Sequence, residues 1–317
     1  MKKLLRPLAV IAGLCAALPA YAEFPERPIE IIVPFAAGGG TDIMARLFAD
    51  ALEKEIGGTV MVINRPGAGG EVGMAEVAEA QPDGYKLAIL NTPNILSIPI
   101  ERKARFTTES FDLLGTIAED PGTLSVHANS PIKTVKDLVA AAKEKPGQLT
   151  YGTAGVGSAG HIAMLLLAEE AGISASHVPF TGSAGVRTAL LSEDIEVATA
   201  NLGEAQSFGA GQPWRILGVM ADERSAQAPD LPTFKEEGFP IMAGSLRGLG
   251  GPKGMPADVL EKLRTAMKAV MEDKAFLDAS AQAAVPIRYL DAEGFARALE
   301  ESNQSMLKLW QAQPWKQ

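Results

Sequence analysis

Pro28 to Pro34 (Pro-Ile-Glu-Ile-Ile-Val-Pro) is a short strand bounded by prolines, and it runs straight into Ala36-Ala37-Gly38-Gly39-Gly40-Thr41-Asp42. Met44, Leu47, Phe48, Ala51 and Leu52 then recur at the spacing of one helix face. The pattern returns at once. Thr59 to Ile63 is a β-branched strand, followed by Asn64-Arg65-Pro66-Gly67-Ala68-Gly69-Gly70, a small-residue helix to about Glu79, and the strand Tyr85 to Leu90 after Pro82-Asp83-Gly84. Strand, glycine loop, helix, strand is the order of an α/β unit with parallel strands, because a parallel pair needs a crossover that a helix supplies.

A second set begins near Leu124-Ser125-Val126-His127. Thr134 opens a helix through Lys145, with Asp137 as its capping-box partner. Leu149 to Thr153 is a strand, and Ala154 to Gly160 forms another glycine loop before the helix His161 to Ala171. His177 to Phe180, Ile195 to Asn201 and Arg215 to Met220 read as buried strands. Pro256 starts a helix with Val259, Leu260, Leu263, Met267, Val270 and Met271 on its apolar face, and Asp291 caps a last one striped by Phe295, Leu299, Met306 and Trp310.

The first 22 residues read differently. Lys2, Lys3 and Arg6 precede the apolar run Leu8 to Leu18, Pro19 breaks it, and Ala20-Tyr21-Ala22 offers a cleavage site. That is a secretory signal, with Glu23 the expected mature start and the periplasm the expected compartment. The run is too short for a membrane span, which needs about 20 apolar residues. Leu14, before Cys15, stands where lipid attachment wants a small residue. Cleavage would remove the only cysteine and three positive charges, taking the net charge from −9 to −12. A cysteine-free chain folds without oxidative chemistry, and so acidic a chain lacks the basic footprint of a nucleic-acid binder. The length of 317 residues suits about two domains.

Four loops at strand ends are candidates for chemistry: Ala36 to Asp42, Asn64 to Gly70, Thr153 to His161 and Thr181 to Gly185. Strand C-termini face the ligand crevice of an open α/β sheet, and a helix N-terminus presents unpaired N–H groups with about half a positive charge. Such loops bind an anion without a cationic side chain. Gly155-Val156-Gly157-Ser158-Ala159-Gly160 matches the dinucleotide glycine spacing, but the next strand, Ser176 to Phe180, carries no acid for the ribose, and export leaves the NAD pool behind. No cofactor is expected. His161, opening a helix beside a glycine loop, is equally placed to donate to an anion or to face solvent; His127 and His177 read as structural. An exported hydrolase of small esters would use His161 with a loop serine such as Ser158, although no G-x-S-x-G elbow or H-E-x-x-H motif occurs. Arg247, in an apolar glycine-rich stretch, suits either a structural ion pair or a bidentate grip on a carboxylate.

These strings together resemble the periplasmic solute receptors of the tripartite tricarboxylate transporter family, the Bug receptors. Ile32-Val33-Pro34-Phe35 with Ala36 to Asp42, Asn64 to Gly70, Pro82-Asp83-Gly84-Tyr85, Tyr151 to Ser158 with His161, His177 to Ser183, Leu231-Pro232-Thr233-Phe234, and Arg247-Gly248-Leu249 with Pro252-Lys253-Gly254 carry the likeness over the whole mature chain. The resemblance implies a type II periplasmic binding fold: two lobes, each a mixed sheet flanked by helices, around an interlobe ligand cleft. Residues 23–121 and 243–317 would form one lobe and residues 122–242 the other. It implies a non-catalytic receptor, expected to be a monomer, that binds a small di-, tri- or aromatic carboxylate and delivers it to membrane permease subunits; signalling to a membrane sensor is the other possible output. By similarity, Ala37, Gly38, Gly39 and Thr41 face the ligand from one lobe. Thr153, Gly155, Gly157, Ser158, His161, Thr181, Gly182 and Ser183 face it from the other, with Asn201 at a cleft-facing strand end. Thr92, within Asn91-Thr92-Pro93-Asn94, is a source of selectivity. Arg247 departs from the aromatic residue of many relatives and leaves the far end of the pocket open as to ligand.

Overall fold

A computed structural model describes residues 24–315. The expected export signal and Glu23 lie outside these residues. Among the described residues no helix is long and apolar enough to cross a membrane.

The first strand, β1 (Ile29–Val33), is buried at four of its five positions, as a strand covered on both faces must be. It lies between β2 (Val60–Asn64) and β3 (Lys86–Asn91), parallel to both. The crossovers are α1 (Gly40–Ile56) and α2 (Glu71–Ala78). As its spacing predicts, α1 buries Met44, Phe48, Ala51 and Leu52. They pack with β1 and with α8 (Ala257–Glu272) and α9 (Lys274–Gln282), where Phe276 meets Phe48 edge-on.

Beyond β3 the sheet changes direction. β9 (Gly244–Pro252) runs antiparallel to β3 on one side and to β4 (Phe111–His127) on the other. β4 is 17 residues long and belongs to both sheets. Up to Pro121 it pairs with β9; from Gly122 it pairs with β7 (Val197–Asn201), while Thr123 to His127 also pair with β8 (Trp214–Val219). β5 (Thr150–Thr153) is parallel to β7, and β6 (Ser176–Pro179) to β5. The order β2-β1-β3-β9-β4-β7-β5-β6 is thus two lobes joined through one shared strand and its return.

Only the end of β4 and none of β9 is evident in the sequence, because β9 carries four glycines among nine residues and reads as a loop. Gly248 shows why they are there. A Cβ at this position would lie 2.3 Å from Phe295 Cε1, so α10 (Ala292–Ala312) could not seat Phe295 against the sheet. The expectation that His177 to Phe180 is a buried strand is corrected: β6 is the last strand of its sheet, and Ser176 and Pro179 are exposed.

The second lobe packs α4 (Val135–Glu144) and α5 (Ala159–Ala171) against its sheet, with α6 (Ser183–Leu191) and α7 (Leu202–Gly209) completing it. The Thr134 cap forms as read, with Asp137 N–H donating to Thr134 Oγ1 at 3.1 Å and Thr134 N–H to Asp137 Oδ2 at 3.0 Å. Asp291 accepts from Gly294 N–H at 2.7 Å, and Pro256 is the N-cap of α8. The C-terminal segment does not stay with one lobe. Phe295 and Leu299 of α10 pack beside α3 (Asn94–Glu101), whereas Met306, Leu309 and Trp315 close on Ile162 of α5.

Candidate functional site

Five helices begin around one cavity of about 70 Å³ between the lobes. Gly39 and Thr41 bring the start of α1, and Asn94 that of α3. Ser158, Ala159 and Gly160 bring the start of α5, Gly182 and Ser183 that of α6, and Asn201 and Glu204 that of α7. Each N-terminus carries a partial positive charge, offset on the α1, α6 and α7 side by the Glu204 carboxylate, which accepts from Gly40 N–H, Ser183 Oγ and Asn201 N–H.

Local chemistry holds these ends in place. The Asp42 carboxylate accepts from Gly38 N–H at 2.9 Å, from Arg46 Nε at 3.1 Å and from Asn64 Nδ2 at 3.0 Å, pinning the first glycine loop to β2. Burial alone would raise its pKa, but Arg46, the Gly38 amide and Asn64 together hold it below the usual value. In the other lobe Thr153 Oγ1 accepts from Gly155 N–H at 3.2 Å and lies 2.7 Å from His177 Nε2.

The expected site residues separate into those that reach the cavity and those that support it. Gly39, Thr41, Ser158, Gly182, Ser183, Asn201 and Arg247 line it. Ala37 and Gly38 instead face an outer depression, since the Gly38 amide is turned back onto Asp42. Gly155 and Thr181 line a neighbouring hollow of about 360 Å³ that also takes in Gly67 to Gly70, so the Asn64 to Gly70 loop stands beside the cavity and not in it. Thr92 is part of the sheet, accepting from Leu246 N–H at 2.9 Å, and it faces a separate cavity on the other side. Thr153, Gly157 and His161 lie beneath the wall. Gly157 N–H donates to His161 Nδ1 at 3.0 Å, and Ser97 Oγ donates to the Gly157 carbonyl at 2.8 Å.

His161 therefore does not offer a proton to a ligand from this nitrogen. Its ring stacks on His177 at 4.1 Å between centroids, and His177 stacks on Tyr151 at 5.0 Å. Burial pushes His161 down to about 3 and His177 to about 4, and the neighbouring ring adds to the first shift, so both are neutral at pH 7. Ser158 Oγ, buried and without a partner, makes no pair with His161. The serine–histidine arrangement that a hydrolase would need is absent from this wall.

A pH prediction follows. The unfolded chain protonates these histidines near 6.5, the folded chain only near 3 and 4, so they contribute stability above pH 6.5 that is lost as pH falls. Asp120 works against them. Its buried carboxyl is pushed up to about 6 from 3.8, so over that interval the folded state binds the extra proton. Between about pH 6 and 4.5 two histidines outweigh one aspartate, and stability should fall by about 1.4 kcal/mol per pH unit of acidification. Urea denaturation across this range should show that slope, and His161→Asn, which keeps an acceptor for Gly157 N–H, should nearly flatten it. An equal slope in the variant would remove His161 from the account.

At the far end Arg247 and Asp120 form an ion pair at 3.1 Å, each side chain only 2% exposed. Burial is the main force raising Asp120; Arg247 opposes it, and Glu204 adds to it. Of the two readings of Arg247, the ion pair is the one the geometry contains, although its Nε remains without a partner at the cavity. Glu204 is the residue sequence reasoning missed. It completes the Asn201 capping box through Oε2, and through Oε1 it accepts from Ser183 Oγ at 3.0 Å and, across the cleft, from Gly40 N–H at 3.0 Å. The Asn-x-x-Glu spacing is a capping signal that could have placed it at a helix end.

Two α/β lobes with a shared strand and helix N-termini gathered at their junction define a periplasmic-binding-type receptor, a protein that holds a solute and does no chemistry on it. The family model for the tripartite tricarboxylate transporter family receptor (TctC) matches residues 44–313. The "UPF0065 protein in gbd 5'region" of Cupriavidus necator is 34% identical over 291 residues, covering 90% of this chain and 88% of that one. The structure of the periplasmic binding protein BugD superposes with a TM-score of 0.85 at 28% identity, covering 93% of this chain and all of that one (100%). R. palustris Rpa4515 with adipate gives 0.87 at 27% identity, covering 91% and 98%. The chain belongs to the tripartite tricarboxylate transporter receptor family.

Proposed function

We propose that the protein binds a small organic carboxylate in the interlobe cleft, in the periplasm, and hands it as a monomer to the membrane permease of a tripartite tricarboxylate-type transporter. The observation that carries this reading is the meeting of five helix N-termini at one cavity with a buried, unpartnered Ser158 hydroxyl on its wall. The adipate held by a relative of the same fold supports a carboxylate. In this reading the lobes divide at residues 121/122 and 242/243, with the end of α10 reaching across to α5, and bending at the two crossings opens and closes the cleft.

Protein stripped of carried-over ligand by unfolding and refolding should gain thermal stability with some member of a panel of mono-, di- and tricarboxylates, aromatic acids included. A ligand at a hundredfold excess over Kd adds about 2.7 kcal/mol. No shift from any member rejects the reading. Ser158→Ala should weaken the best ligand about tenfold, the value of one hydrogen bond to a charged group, with unchanged circular dichroism. Calorimetric affinity equal to that of the parent would take Ser158 out of the site.

A further inference from the structure

Arg187 takes no part in the site described above, and its surroundings set it apart. Among the described residues every other arginine has a carboxylate or a main-chain carbonyl as partner. Arg187 has neither. Its Nε is buried without a partner, and its guanidinium lies 5.6 Å from the centre of the Phe208 ring. That contact steadies the group without using its N–H donors, which stay available to a carboxylate. Asp194, two residues beyond the Ser192 that lines the same depression, accepts from Ser192 Oγ at 2.6 Å and leaves the guanidinium free.

The position matters as much as the charge. Arg187 lines a depression of about 490 Å³ at the outer edge of the cleft, with Leu191 and Phe208 from its own lobe and Ala37 and Gly38 from the other. Ala184 lines both this depression and the ligand cavity. On α6, Arg187 follows Ser183 by four residues, so the two share one helix face about 6 Å apart along the axis. Ser183 is at the cavity and Arg187 is not. A negative solute approaching a chain of net charge −9 meets overall repulsion. An unpaired guanidinium one helical turn outside the cavity reverses that locally.

We infer that Arg187 is a capture site for carboxylates at the mouth of the cleft: an incoming acid pairs first with its guanidinium, then moves past Ala184 to the cavity as the lobes come together. The inference rests on the carboxylate-receptor reading and adds a step before the solute is held. Because Arg187 lies outside the cavity, the site acts on association and not on retention.

The test measures association and dissociation rates by stopped-flow tryptophan fluorescence on the refolded, ligand-stripped protein. Trp315 packs with Ile162 of the opposite lobe and so reports closure. The probes are propionate, adipate and citrate, which differ in charge. A unit charge about 7 Å from the guanidinium in water favours the encounter about threefold. Arg187→Gln should therefore slow association about threefold for propionate, about tenfold for adipate and further for citrate. That holds in about 10 mM salt, where the Debye length is about 30 Å, and the differences should vanish in about 1 M salt, where it is about 3 Å. Dissociation rates should stay within twofold, and Arg187→Lys, which keeps the charge, should restore association. A loss of equal size for all three acids, or one that survives high salt, shows a structural role and overturns the capture site. Faster dissociation in step with lost affinity overturns it too, by placing Arg187 on the held ligand. Unchanged association at low salt overturns it while leaving a carboxylate receptor in place. Where only one acid of the wider panel binds, its salt dependence in the two variants decides. Binding of no acid rejects the receptor reading and the capture site together.

Discussion

Gly39→Val will reduce ligand affinity by at least a hundredfold while leaving the ligand-free protein almost as stable as before. Gly39 is the N-cap of α1, with φ −86° and ψ 167°, extended backbone that valine adopts without strain. What it lacks is room across the cleft. A Cβ there would lie 3.3 Å from Ser183 Oγ and 3.7 Å from Glu204 Oε1, both on the opposite lobe, and the two methyl groups reach about 1.5 Å further. The obstruction exists only when the lobes are together. The open form is spared apart from the weaker cap, worth about 1 kcal/mol, so the substitution acts on closure and hence on binding. Calorimetry and ligand-induced thermal shift measure it. An affinity within threefold of the parent would show that the first glycine loop does not meet the other lobe.

Arg247→Ala is expected to cost about 3–5 kcal/mol of stability at pH 7.5, the usual penalty for leaving one member of a buried ion pair alone. Asp120 is 1% exposed and accepts from Arg247 and from Gly203 N–H at 3.1 Å, so deleting the guanidinium strands a carboxylate beside Glu204. Asp120 already titrates up at about 6, because burial outweighs its partner. Without Arg247 it rises further and escapes the penalty by taking up a proton, so the deficit should shrink between pH 7.5 and pH 5. Urea denaturation at the two values tests both the loss and its direction. Adding Asp120→Asn to Arg247→Ala should restore much of the loss, since no charge then remains to be buried. A single-variant loss below about 1 kcal/mol would mean that the pair is not what holds this end of the cleft.

The contrast between these positions shows where sequence reasoning stops. The helix starts at Gly39 and Ser158 are legible in the residues alone because a strand running into small residues and then a helical repeat states locally where a helix must begin. The Thr134–Asp137 and Asp291 caps were legible for the same reason: each bond spans only three residues. His161 was not. Its position beside a glycine loop is visible in the chain, but the ring at position 177 that buries and neutralises it comes from another strand. Glu204 reads as an ordinary capping acid, and nothing in its neighbourhood says that its other oxygen reaches Gly40, 164 positions away.

Residue by residue, then, the chain determined its strand-to-helix turns and the apolar faces of α1, α8 and α10, since each depends on periodicity or capping over a few residues. Tertiary structure decided which helix ends share one hollow, that Arg247 turns to Asp120, and that Glu204 crosses between lobes. The reason is the insertion of β9 between β3 and β4. That pairing brings residues near 245 against residues near 90 and 120, and no local pattern encodes contacts at such separation.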